Sequence, residues 1–271
     1  MDRPIYIMGN WKMNTSYSEA MVLVSGVLRN TEEYDDIKVV FFPPSLWLVP
    51  IKESYKTAQL GAQNIFSHIS GPYTGEISPY MLKGIAKYVL IGHSERRSIF
   101  NEDDAIVNSK LHTTLDAHLT PVLAVGEEEE IDIEELQENE IEKRIENSRL
   151  GKSLISSTRG LSQNEWEKII IAYEPVWAIG TGKNASGAYA AKIIKGLRRI
   201  IMQKTNKTIA SDVPILYGGS VTHHSAAEYA SQPTIDGVLV GGASLKITEF
   251  SGIAEAFNES KKWRQQTDEN G

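Results

Sequence analysis

Three ionisable side chains of this chain follow apolar runs of strand length. Lys12 lies in Gly9-Asn10-Trp11-Lys12-Met13-Asn14, His93 in Gly92-His93-Ser94-Glu95-Arg96-Arg97, and Glu174 opens Glu174-Pro175-Val176-Trp177-Ala178-Ile179-Gly180-Thr181-Gly182-Lys183. Taken singly, each has a plain reading: a solvated lysine, a structural histidine, and Glu95 with its two arginines as an ion-pair cluster. Brought together, a carboxylate can take a proton, an imidazole can donate to an oxygen, and an ammonium can hold negative charge. Two glycine pairs, in Gly218-Gly219-Ser220 and Gly241-Gly242-Ala243-Ser244, follow two later apolar runs. Such turns let backbone N–H groups approach an anion closely. The chemistry implied is proton transfer on a phosphorylated substrate.

The elements that must position these residues are apolar runs at Ile5 to Met8, Ile37 to Phe42, Gln59 to Ala62, Tyr88 to Ile91, Pro121 to Val125, Ile169 to Tyr173, Pro214 to Tyr217 and Gly237 to Val240. Near-continuous apolarity without alternation marks strands buried on both faces of a parallel sheet. Between them, Ile193, Ile194, Leu197, Ile200 and Ile201 form one helical stripe, and Val107, Leu111 and Leu115 repeat the idea. Alternating strands and helices predict the α/β class, and eight such units predict a closed, parallel, eight-stranded β/α barrel. With 271 residues and no Pro/Gly/Ser-rich linker, we expect one barrel domain over 1–271. In a closed parallel barrel the active site lies at the C-terminal ends of the strands, which is where Lys12, His93 and Glu174 fall.

The formal net charge of −7 is local: Glu127 to Glu142 holds ten carboxylates and no Lys or Arg. The remainder is nearly balanced, which gives no basis for nucleic-acid binding. The acidic stretch keeps Ile131, Ile133, Leu136 and Ile141, so it reads as a solvated helix or an extended surface loop. With no cysteine, disulfides and thiolate catalysis are excluded. No run of about 18 apolar residues occurs, so we expect no membrane span and a cytoplasmic protein.

The blocks Gly9 to Asn14, Gly92 to Arg97, Ala172 to Lys183, Tyr217 to Val221 and Gly237 to Leu245 resemble, in order, the motifs of the triosephosphate isomerase family. The resemblance covers essentially the whole chain. It implies a TIM barrel that interconverts dihydroxyacetone phosphate and D-glyceraldehyde 3-phosphate through an enediolate, in glycolysis and gluconeogenesis, with no cofactor and no metal. Carried over position by position, Glu174 is the general base and His93 a neutral hydrogen-bond donor to the substrate oxygens. Lys12 supplies a fixed positive charge, and Asn10 orients substrate oxygens. Glu95 contacts the lysine, with a possible share in proton relay. Gly180, Ser220, Gly241 and Gly242, with Asn10 and Lys12, bind the substrate and its phosphate, and Pro175 to Lys183 is a lid.

The long segment Gln63 to Glu76 resembles the family's interdigitating loop, in which the residue matching Thr74 enters a neighbouring subunit, so a homodimer through residues 63–76 is implied. Two departures stand out. Ala124 replaces a usual cysteine, and after Val125-Gly126-Glu127 the family's usual arginine-containing segment is replaced by the acidic run and an extended region up to Asn164. Two rival readings remain: an isomerase of the same fold with room under Ile179 and Leu239 for a longer sugar phosphate, and a phosphate-binding barrel without chemistry. Intact Lys12, His93 and Glu174 weigh against the second.

Overall fold

A computed structural model describes residues 3–178 and 184–269, with the main chain alone for 264–269. Eight strands, β1 Ile5–Asn10, β2 Ile37–Phe42, β3 Gln59–Ala62, β4 Tyr88–Ile91, β5 Thr120–Glu127, β6 Ile170–Pro175, β7 Ile215–Tyr217 and β8 Gly237–Val240, close in sequence order into a barrel. Each strand pairs parallel with the next, and β8 pairs with β1 through Met8↔Leu239 and Gly9↔Val240. The expected α/β barrel is therefore the architecture observed.

The strands are apolar on both faces because they separate two cores. Tyr6 and Met8 of β1 and Val40 and Phe42 of β2 fill the barrel interior. Their neighbours Ile5, Ile7, Val39 and Phe41 pack outward against the helices. The interior leaves little spare room: a Cβ on Gly61 would sit 2.2 Å from a ring carbon of Phe42. Helix Gly187–Lys204 buries Ile193, Ile194, Leu197, Ile200 and Ile201, and helix Asp104–Asp116 buries Val107, Leu111 and Leu115. Both expected stripes thus face the barrel.

Several strands run further toward the C-terminal mouth than their apolar runs. Asn10 is the last residue of β1 and pairs with Phe42; Glu174 and Pro175 close β6, paired with Gly126 and Glu127 of β5. Hydropathy follows side chains, whereas the ladder uses main-chain groups, so polar residues can end a strand without breaking it. Pro214, which has no N–H, precedes β7 rather than opening it.

Between β5 and β6 the acidic stretch is first a loop and then, from Glu138, a helix, Glu138–Asn147, followed by Arg149–Ser157 and Gln163–Trp166. Both readings of that stretch apply, one to each half. Its isoleucines explain why it stays on the barrel: Ile131, Ile133, Ile141 and Ile145 are buried, with Leu150 and Leu154 behind them. Among the described residues no helix is long and apolar enough to cross a membrane.

Candidate active site

The C-terminal mouth gathers the residues singled out in the sequence. Asn10 ends β1 and its Oδ1 accepts from the Lys12 N–H at 3.0 Å. Lys12 itself lies in the left-handed region at φ 53°, a conformation that costs a non-glycine residue about 1 kcal/mol. Gln63 Nε2, donating to the Lys12 carbonyl at 2.8 Å, helps hold it there. The Lys12 ammonium reaches Glu95 Oε1 at 2.5 Å.

His93 caps the short helix Ser94–Ile99, its Nδ1 accepting from the Glu95 N–H at 3.2 Å. An acceptor Nδ1 carries no proton, so this bond assigns the neutral tautomer with the proton on Nε2. Nε2 lies 3.2 Å from Glu174 Oε1. The other Glu174 oxygen accepts from the Ser94 N–H at 2.8 Å. Both side chains are buried, Glu174 at 2% exposure and His93 at 7%. The carboxylate is thus held beside the imidazole by main-chain and ring donors, with no fixed cation of its own among the described residues.

A cavity of about 350 Å³ opens over this pair, bounded by Asn10, Lys12, His93 and Glu174 on one side and by Gly218 to Thr222 and Leu239 to Ala243 on the other. Small residues keep the wall thin. A Cβ on Gly218 would come within 3.0 Å of Glu174 Cγ, one on Gly241 would sit 3.8 Å from Lys12 Nζ, and one on Gly242 would project into open space. An anion seated on the Gly241-Gly242 backbone therefore meets the Lys12 ammonium directly. Leu239 and Val221 add apolar surface that excludes water from one wall.

Asn10, Lys12, His93, Glu174, Ser220, Gly241 and Gly242 share this one cavity. Glu95 does not line it; it faces a neighbouring recess of about 500 Å³, also bordered by Lys12 and His93. Gly180, and with it Ile179 to Lys183 of the expected lid, lies outside the described residues.

Sequence reasoning missed Ser94 and Gln63, which act through main-chain contacts that their residue types do not advertise. It also passed over Glu127, hidden at the head of an acidic run. Glu127 is buried at the end of β5, where Oε1 accepts from Tyr173 Oη at 2.5 Å and Trp177 Nε1 at 3.1 Å. Burial pushes its carboxyl up to about 7, although both hydrogen bonds pull the other way. Its residue type set it apart in no way from the acidic residues that follow it.

A closed parallel barrel whose C-terminal mouth sets a carboxylate and a neutral imidazole beside a cation and a glycine-lined anion cradle is a proton-transferring barrel enzyme by class. The class narrows by comparison with known proteins. The chain belongs to the triosephosphate isomerase family, whose sequence model matches residues 5–257. It is 42% identical over 262 residues to the triosephosphate isomerase of Dehalococcoides mccartyi, covering 96% of this chain and 100% of that protein. It is 39% identical over 259 residues to that of Rhodopirellula baltica, covering 94% and 98%, and 41% identical over 256 residues to that of Alkaliphilus metalliredigens, covering 93% and 99%.

Proposed function

We propose that this protein interconverts dihydroxyacetone phosphate and D-glyceraldehyde 3-phosphate, as an isomerase of glycolysis and gluconeogenesis. The observation that carries the reading is the Glu174 carboxylate 3.2 Å from His93 Nε2, in one cavity with Lys12 and the glycine cradle.

The phosphate docks on the backbone of Gly241, Gly242 and Ser220, its charge met by Lys12. Gly180 is read as a further contact. Glu174 leaves the Ser94 N–H and removes the proton from the carbon next to the carbonyl, leaving an enediolate. It then returns that proton to the neighbouring carbon. His93 donates from Nε2 to the oxygens, where the negative charge develops, and carries the hydroxyl proton from one to the other. Lys12 stabilises the same charge, a contribution of ~3 kcal/mol, the scale of one oxyanion donor in a dry site. Asn10 orients the substrate, and Glu95 holds the Lys12 ammonium between turnovers. No external oxidant or reductant is consumed, since the carbon that loses a proton and the carbon that gains it are adjacent in one molecule. A glutamate base paired with a neutral imidazole is the established pattern of the triosephosphate isomerases, and these two roles are carried over from that family.

The chain is read as a single barrel domain over 1–271, resident in the cytoplasm, and as one half of a homodimer. Support for the dimer comes from the recess beside Lys12, His93 and Glu95, which is bordered by Gly75 and Phe100. Nearby apolar side chains are strongly exposed: Met13 at 96%, Ile69 at 62% and Phe100 at 60%. The 63–76 loop is stiffened for insertion by the stack of His68 on Tyr73, with centroids 4.9 Å apart. Sedimentation should give twice the chain mass, and Thr74→Arg should halve it; a wild-type monomer with full activity would sink the dimer.

The activity is tested by a coupled assay of purified protein on glyceraldehyde 3-phosphate, with no added metal or nucleotide, run beside a four-carbon ketose phosphate. Fast turnover of the three-carbon substrate is expected. Selective turnover of the four-carbon one would move the assignment to the longer-sugar isomerase, and activity on neither would leave a phosphate-binding barrel.

A further inference from the structure

We propose that Arg97 is a positioning residue for His93, held in place by the helix Arg149–Ser157 between β5 and β6. The inference rests on the role given to His93 above. Strand β4 ends at Ile91, and Gly92 then takes φ +71°, so the peptide joining Gly92 to His93 is outside any regular ladder. Arg97 supplies what the ladder does not. Its Nε donates to the Gly92 carbonyl at 2.7 Å and its Nη2 to the Ala124 carbonyl of β5 at 3.4 Å. The Gly92 carbonyl, the His93 N–H and the His93 Cα belong to one rigid plane, so fixing that oxygen fixes the point and the N–Cα axis from which the His93 side chain is built. The glycine also makes room, since a Cβ on Gly92 would stand 2.9 Å from Arg97 Nη2.

The guanidinium is itself clamped. Nη1 donates to Asp104 Oδ1 at 2.7 Å, and Asp104 also accepts from Arg149 Nη1 at 2.6 Å, Ser153 Oγ at 2.6 Å and Ser157 Oγ at 3.3 Å. Burial works against this carboxylate, but the bonds from Arg149, Ser153 and Arg97 outweigh it and hold its pKa below the ordinary value. Three of its partners lie on the helix Arg149–Ser157. Arg97, Arg149 and Ser153 wall a second cavity of about 310 Å³ that also touches Ser94, Gly126 and Glu174. His93 is therefore tethered at both ends, upstream through Arg97 at Gly92 and downstream through the Glu95 N–H at Nδ1. A helix with no residue in the substrate cavity thereby sets the aim of Nε2.

Arg97→Lys keeps the charge but cannot serve Gly92 and Asp104 with one planar fork. Asp104→Asn and Arg149→Met loosen the clamp from further out, and Arg149 is exposed enough for that variant to fold. A misplacement on the ångström scale costs on the order of 100-fold in rate, so kcat for Arg97→Lys should fall at least ~10-fold, with KM within about twofold. The clamp variants should give smaller losses in the same order of proximity. The ¹⁵N resonances of the His93 ring should move in each variant. That spectrum reads the position of the ring whether or not triose phosphate is turned over: shifted His93 signals in a protein inactive on triose phosphate would support the positioning and overturn the assigned activity. Wild-type kcat and unmoved His93 signals in folded Arg97→Lys and Asp104→Asn, with only Tm lowered, would reduce the clamp to a stabilising ion pair and overturn the proposal.

Discussion

Asp236 at the N-terminal mouth of the barrel and Glu174 at the C-terminal mouth are both buried carboxylates, and they are satisfied in opposite ways. Asp236 accepts from Arg3 Nε and Arg198 Nη2, each at 2.5 Å, and from the Ile215 N–H at 2.8 Å. Its charge is neutralised permanently by side chains that no ligand displaces. Glu174 accepts from the Ser94 N–H and faces a neutral imidazole, with a cavity in front of it. One mouth closes the barrel; the other leaves its charged groups free to act, at the expense of a lysine held at φ 53°. The division agrees with the general behaviour of parallel barrels, in which the bottom face carries stability and the top face carries chemistry.

The largest expected effect breaks the comparison at the top. Glu174→Asp withdraws the carboxylate by one methylene and should lower kcat by on the order of 100-fold or more while leaving KM nearly unchanged, measured by steady-state kinetics. Comparable turnover in that variant would remove the general-base role. Asp236→Asn is the matching change at the bottom. It strands a buried Arg198 and should cost about 3 kcal/mol in denaturant unfolding, yet leave kcat of the folded protein at its starting value.

Glu127 sharpens the boundary between the two behaviours, because it is a buried carboxyl near the top that no cation among the described residues neutralises. Its folded pKa of about 7 lies above the ordinary glutamate value, so the native state binds a proton that the unfolded chain has released. The stability it contributes is full below the ordinary glutamate range and is lost as pH rises through about 7. Glu127→Gln should flatten that decline, worth up to roughly 3 kcal/mol between pH 4.5 and 7.5, in urea titrations at several pH values. The smallest effect belongs to the outer surface. Lys195 and Glu138 form an ion pair more than half exposed on both sides, and Lys195→Ala should change stability by less than about 0.5 kcal/mol.

Much of this was legible in the sequence, and the reason differs by element. The strands could be read because two cores, one inside the barrel and one under the helices, demand apolar residues on both faces. Their polar ends could not, since Asn10 and Glu174 join the ladder through the main chain while their side chains look like loop residues. Lys12, His93 and Glu174 stood out because residue type and position after an apolar run agree. The tautomer of His93, the holding of Glu174 by Ser94 and the Arg97 clamp depend on contacts between segments far apart in sequence, and residue types alone carry no trace of them. Glu127 was masked by nine acidic neighbours that are solvated where it is not.

The most direct test of proton transfer by Glu174 is to run the isomerisation of dihydroxyacetone phosphate in D₂O and read the product by proton NMR. Deuterium should appear on the carbon that gains the proton in those turnovers where the Glu174 carboxyl exchanges with solvent before the return, and Glu174→Gln should abolish both turnover and labelling. Turnover or labelling at the wild-type rate in Glu174→Gln would contradict it.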